Sequence, residues 1–329
     1  MIRSWMNLRS SLTALAGLAC ACSVLAQTPI DIGNGEYMLK NDRFPVTGPV
    51  TGNQNASVQA GFAAGEIAAA SFNIPANWAG VKIKRIQILW RSVNGTAANS
   101  QQDSIIIYKG TPANPATFFQ FWDMQNDALP DGFFPVMQDN TAFNEFDFAP
   151  ANPTPDNPDQ DLVITGASAF TVGLKFANAT DQTNGPSVVS DQGPSTFTGC
   201  ISGRNWFFGD LTAGGTFFCS DPAVTWRNAC AICNVAGVNI SMSGNYMIRA
   251  VVERVIRNCG VADIATVGGG LGRDGSITAD DLIIFLNAFF NNNLAVADIA
   301  RAGGQTVPDG QLSADDIIAF LASFFAGCP

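Results

Sequence analysis

Residues 245–255 read Asn245-Tyr246-Met247-Ile248-Arg249-Ala250-Val251-Val252-Glu253-Arg254-Val255. Tyr246, Ile248, Ala250 and Val252 alternate with positions that hold Arg249 and Glu253. This period of two sends one set of side chains into a core and the other to water. The stretch therefore predicts a half-buried antiparallel strand. Val81–Trp90 shows the same alternation with a fault. Val81 and Ile83 are in one phase, Ile86, Ile88 and Trp90 in the other, and the change falls at Lys84-Arg85. A β-bulge at that point would return all five side chains to one face. Further β-rich runs are Glu66–Ile74, Ser104–Lys109, Thr117–Trp122, Phe143–Phe148, Asp161–Thr165, Phe170–Phe176 and Arg204–Phe208, separated by Gly, Pro and Asn. The pattern predicts a mainly β body over residues 27–256, an antiparallel β-sandwich or jelly roll. The proline-rich stretch 149–159 reads as a long surface loop inside one sandwich, because either flanking half alone has too few strands for a core.

Composition narrows the chemistry. The chain of 329 residues carries 27 Asp+Glu against 17 Lys+Arg and no histidine. Histidine general bases, Ser-His-Asp and Cys-His nucleophile systems and His-ligated metals are excluded, which leaves carboxylates as the only acid–base groups of the right kind. Only Glu36, Glu66, Glu145 and Glu253 are Glu; the other acids are Asp, which disfavours a mainly helical protein. A net charge of −10 and a pI near 4.4 argue against nucleic acid as a partner.

The N-terminus reads as an export signal over residues 1–26. Arg3 and Arg9 precede or flank a short apolar run, Leu12–Ala21, and Val24-Leu25-Ala26 supplies small residues for cleavage before Gln27. No stretch reaches the length of a transmembrane span. The expected destination is outside the cell or at its surface. Six cysteines follow, Cys200, Cys219, Cys230, Cys233, Cys259 and Cys328, an even number that reads as disulfides in an exported chain. The first four allow three pairings. Cys259 and Cys328 bracket the C-terminal segment, and joining them closes a loop of about 70 residues, worth ~4 kcal/mol in the chain-entropy account.

The body offers two weak candidates for a site. Glu145 and Asp147, two apart in Phe143-Asn-Glu-Phe-Asp-Phe148, would share a strand face and could supply the paired carboxylates of a glycosidase. With Phe146 and Phe148 facing the core, they could equally be a solvated edge. Trp78, Trp90, Trp122, Trp206 and Trp226 could stack on sugar rings or fill the core.

The strongest signal is a duplication at the C-terminus. Residues 262–290 and 297–325 agree at 16 of 29 positions without a gap, a period of 35 residues. Thr278 with Asp281, and Ser313 with Asp316, have capping-box spacing. Leu282, Phe285, Leu286 and Phe289, like Ile317, Phe320, Leu321 and Phe324, fall on one helical face. Asp274-Gly275-Ser276-Ile277 and Asp309-Gly310-Gln311-Leu312, each followed by Asp281 or Asp316 seven residues after the first Asp, match the second half of an EF-hand-type loop.

Residues 257–329 thereby resemble a dockerin module, and more closely the GC-type dockerin-like C-terminal domain of planctomycete exported proteins, in which Ala-Asp-Ile-Ala, Pro-Asp-Gly, Ala-Asp-Asp-Ile-Ile and a terminal Phe-Ala-Gly-Cys recur. The resemblance implies a small α-helical module that binds Ca²⁺. Asp263 and Asp298 would be first ligands, Asp274 and Asp309 middle ones, Ser276 and Gln311 carbonyl donors, and Asp281 and Asp316 last ligands. It also implies a cohesin-like or cell-surface anchoring partner. The chain departs from that pattern in spanning 19 residues from Asp263 to Asp281, with Gly268, Gly269 and Gly270 inserted. Ala279-Asp280 and Ala314-Asp315 stand where hydroxyl residues usually recognise the partner. Two functions follow as expectations. The first is a secreted, non-enzymatic β-sandwich protein anchored by its C-terminal module. The second is a carbohydrate-active protein, lectin-like or a carboxylate glycosidase, delivered to a polysaccharide.

Overall fold

The structure is a computed structural model, and it describes residues 27–47, 56–59, 61–92, 99–127, 134–150, 153, 159–178, 186–191, 199–209, 224–235, 238–240, 242, 244–266 and 268–328. The expected signal segment, Cys219 and most of the proline-rich stretch lie outside them. Of the described residues, which are mainly β, 37% are in strands and 15% are helical. Two six-stranded antiparallel sheets form the body. The first runs in the order Ile30–Gly33, Glu36–Lys40, Ile248–Val255, Gly80–Ile88, and the far edge of Gly80–Ile88 pairs with both Asn144–Asp147 and Val163–Thr165. The second runs Thr225–Asn228, Asn205–Gly209, Ile67–Asn73, Ala169–Lys175, Ser104–Lys109, Phe119–Asp123.

Each of the nine strands anticipated from periodicity has a counterpart, and the two sheets meet through the side chains that the alternation assigned to the core. Leu39, Val81, Ile83, Ile86, Ile88, Ile248, Ala250 and Val252 of the first sheet pack with Ala68, Ala70, Phe72, Ile105, Ile107, Phe170, Val172, Leu174 and Phe207 of the second in one cluster. This is the sandwich arrangement, with apolar inner faces removed from water together. The bulge falls where the phase change requires it: Val251 pairs with Arg85 and Val252 with Ile83, so Lys84 is the extra residue. Val81, Ile83, Ile86 and Ile88 consequently all lie in the core. The proline-rich stretch is bounded by strands that add to one edge at successive registers, Asn144–Asp147 opposite Ile88–Arg85 and Val163–Thr165 opposite Lys82–Gly80. It connects two strands of one sheet.

One expectation fails at Arg249. It occupies the strand face assigned to water, yet it is fully buried. Residues 41–44 fold over that face, and Arg249 donates from Nε and Nη2 to the two oxygens of Asp42, at 2.8 and 2.5 Å, and to the Phe44 carbonyl at 3.3 Å. The Phe143 ring lies 4.1 Å from its guanidinium carbon. Around them Leu89, Val189 and Met247 form a second, smaller core on the outside of the sheet, with Phe44, Ala56 and Val58 packed against it. The bidentate geometry and the flanking ring satisfy the charge where water is excluded.

Cys200 is bonded to Cys230, and Cys259 to Cys328. The first bond removes two of the three pairings open to the clustered cysteines.

Removal of one partner from a buried ion pair leaves an uncompensated charge. Arg249→Leu is expected to cost about 3–5 kcal/mol, read from the urea midpoint of residues 27–329, whereas Lys82→Leu, whose partners Asp159 and Asp161 are solvent-facing, should change it by less than about 1 kcal/mol.

Candidate functional site

The C-terminal module begins where the Ile248–Val255 strand ends. A 3₁₀ turn, Gly260–Ala262, leads to a two-stranded hairpin of Ala265–Thr266 with Gly270–Leu271, then the helix Ala279–Phe290, a short helix Leu294–Ala297 and the helix Ala314–Ala326. The inserted glycines form the hairpin turn, with Gly268 and Gly269 at φ +94° and +82°. The apolar stripes pack as their spacing predicts. Phe285 stacks on Phe320 with centroids 4.1 Å apart, and Leu282, Leu286, Phe289, Ile317, Leu321 and Phe324 surround the pair.

Both capping boxes are present, with Thr278 and Ser313 as N-caps and Asp281 and Asp316 at N3. The acidic side chains then do more than cap. Asp281 accepts hydrogen bonds on Oδ1 from the backbone N–H of Ile264 and Ala265, both at 2.8 Å. On Oδ2 it accepts from the N–H of Thr278 at 2.8 Å and its hydroxyl at 3.2 Å. Asp316 repeats this with Ile299 and Ala300 at 2.8 Å and with the N–H and hydroxyl of Ser313 at 2.8 and 3.3 Å. Asp263 accepts from the N–H of Asp274 and Gly275, and Asp298 from Asp309 and Gly310. Asp274 and Asp309 accept from the N–H of Ser276 and Gln311. Asp280 and Asp315 reach the inserted turns through the N–H of Gly268 and Gly303. The eight residues anticipated as ligands thus lie in two equivalent loops, and the six carboxylates among them accept from backbone N–H groups.

Calcium requires six to eight oxygen ligands with free lone pairs. A carboxylate offers about four lone-pair sites, and the four donors on Asp281, as on Asp316, occupy them. Among the described residues no group of three acidic, Cys or His side chains could hold a metal ion. In this arrangement Asp281 and Asp316 have no lone pair left for an ion. Two of these carboxyls are shifted, in opposite directions. Burial pushes the Asp263 carboxyl above its ordinary value; the Asp274 and Gly275 N–H groups oppose that, and the negative charges of Asp274 and Asp281 add to it. Burial also acts upward on Asp316, but the N–H groups of Ala300, Ser313 and Ile299 with the Ser313 hydroxyl outweigh it and hold this carboxyl below its ordinary value.

A cavity of about 410 Å³ opens between the loops, lined by the same positions of both repeats, including Val261 and Val296, Asp263 and Asp298, and Ile264 and Ile299. On the outer side of the helices the duplication recurs in solvent. Ile283 and Phe290 are 55% and 76% exposed, and their equivalents Ile318 and Phe325 are 60% and 80% exposed. The sequence reading missed this second apolar stripe because it assigned only the inward face, although the 35-residue repeat carries it plainly. The two loops are not equivalent toward the body. A Cβ on Gly275 would stand 2.9 Å from the Arg257 nitrogen and 3.3 Å from the Asn77 carbonyl, whereas one on Gly310 meets nothing. The first loop abuts the sandwich and the second faces water.

The body's candidates are structural in their contacts. Glu145 accepts from Gln87 Nε2 at 2.6 Å and pairs with Arg85, which also pairs with Glu36. Asp147 accepts from the Ala149 N–H. Both lie on the solvent side of an edge strand while Phe148 is buried. Trp78, Trp90 and Trp122 are core residues, and Trp206 packs with Ile67, Ile106 and Tyr108 on the outside of the second sheet, with Trp226 and Phe208 against it. No family model, curated protein or solved structure matches the chain.

Gly275 and Gly310 share positive φ, +77° and +84°, so alanine at either carries the left-handed penalty of ~1–2 kcal/mol. Gly275→Ala should cost about 1–3 kcal/mol more than Gly310→Ala because of its backbone contacts, measured by thermal unfolding of both variants. In an NMR titration of the aspartate carboxyls, Asp263 should protonate above the ordinary range and Asp316 below it. The Asp316 interactions then stabilise the fold above the unfolded-state value and are lost as pH falls through the folded one. Asp263 works in the opposite sense, its burial cost being relieved as pH falls through its raised value.

Proposed function

We propose that the protein is an exported, non-enzymatic β-sandwich protein held at a cell surface or in a complex by its C-terminal module, a dockerin-like adapter that docks on a cohesin-like protein partner. The observation that carries this reading is the duplicated apolar stripe. Ile283, Phe290, Ile318 and Phe325 are exposed on helices whose other faces are already packed, and large apolar side chains repeated at equivalent exposed positions mark a contact surface. The acids that close the loops lie at the helix N-termini, away from Phe290 and Phe325 at the other ends. Docking therefore need not disturb them. The disulfides accord with an extracellular setting, and among the described residues no helix is long and apolar enough to cross a membrane. The carbohydrate-active alternative draws no support from the described tryptophans, four of which are buried.

The test is fractionation of producing cells that express the full chain or a variant with Ile283, Phe290, Ile318 and Phe325 changed to Ser. The wild type should remain with the cell envelope and the variant should appear in the medium, folded with an unchanged melting temperature. Equal retention of both would refute the docking surface. A glycan array with the same two proteins separates the alternative, for which sugar binding would survive in the variant.

A further inference from the structure

We infer that the C-terminal module closes its two loops on backbone N–H groups and not on a cation, so that its fold does not require calcium. The inference concerns how the loops are held and stands whether or not the helices dock as proposed.

In an EF-hand-type loop the last carboxylate ties the exiting helix to the first half of the loop through the shared ion. Here the same mechanical connection is made directly. Asp281 sits at N3 of its helix and reaches back 17 and 16 residues to the N–H groups of Ile264 and Ala265. Asp316 does so to Ile299 and Ala300 with the same separations and distances. The glycine insertion makes this possible. It folds into the Ala265–Thr266 and Gly270–Leu271 hairpin, brings Ile264 and Ala265 against the helix N-terminus, and presents Gly268 N–H to Asp280. An aspartate is one methylene shorter than the usual glutamate, and at this position it meets two backbone donors while its other oxygen completes the capping box.

Saturation of the carboxylate is the decisive point. Binding an ion would require Asp281 to release the Ile264 and Ala265 N–H groups, and a buried N–H left without an acceptor carries the full desolvation penalty. The helix dipole already stabilises the negative charge from the other side. The two copies of the loop, differing at 13 of 29 positions, meet the same donors. That agreement makes the bonding a property of the repeat.

The test uses residues 27–329 as a whole. Thermal unfolding is followed in excess chelator and again after millimolar calcium is added, with calcium titrated into the chelated protein in a calorimeter. The melting temperature should be the same in both and the titration should show no saturable heat. A rise of several degrees with calcium, or stoichiometric binding, would overturn the inference. Asp281→Asn and Asp316→Asn, which turn an acceptor oxygen into a donor facing other donors, should lower the melting temperature equally with and without calcium. A variant that loses stability only in calcium would also overturn it. If either variant fails to fold, the wild-type comparison still decides.

Discussion

The pairing of Ile248–Val255 between Glu36–Lys40 and Gly80–Ile88 is the interaction on which the rest of the molecule depends. It is the last strand of the body in the chain, yet it lies inside the first sheet, flanked by segments some of the furthest from it in sequence. Its inner side chains, Ile248, Ala250 and Val252, fill the centre of the sandwich, and its outer face is sealed by Arg249 on Asp42. Sheets built from such distant segments incur their chain-closure entropy before contacts compensate it. The body is therefore complete only when its C-terminal strand has been placed. Three residues separate the end of the strand from Cys259, so the module inherits its position from the centre of the sheet.

Charge is handled in two different ways. In the body a buried cation is matched by a bidentate carboxylate, and partly exposed acids pair with a cation between them, as Glu36 and Glu145 do with Arg85. In the module there are eight aspartates and only two arginines over residues 259–329, and the neutralising groups are backbone N–H dipoles. Four of those aspartates sit in the first turn of a helix, where the dipole favours negative charge. The local acidity, which in isolation suggests a metal, is accommodated by donors that every residue except proline possesses.

Much of this was legible beforehand, and what was hidden has physical reasons. The strands, the Lys84 bulge, the capping boxes and the inward helix stripes follow from periodicity, since each depends on neighbours a few residues apart. Arg249 was misplaced because its burial depends on residues 41–44, about two hundred positions away, folding over a face that local alternation assigns to water. The Ile30–Gly33 and Glu36–Lys40 hairpin was missed although its Asn34-Gly35 turn, with φ of 55° and 76°, is a strong two-residue hairpin signal. For the aspartates, spacing alone does not tell a carboxylate that meets an ion from one that meets N–H groups. That difference resides in the glycine insertion, whose hairpin brings the donors within reach.

The Cys259–Cys328 bond joins the module's first residues to its last. The helices Ala279–Phe290 and Ala314–Ala326 lie within a closed covalent ring that is joined to the body by the chain leaving the central strand and rests on it at the first loop. A partner that grips those helices while the body is dragged by flow would load the ring as a tether. Tension would pass through Cys259 into Ile248–Val255 along its length, and the ladder bonds to both neighbouring strands would share it in shear. A protein held this way resists detachment at the strand best supported on both sides.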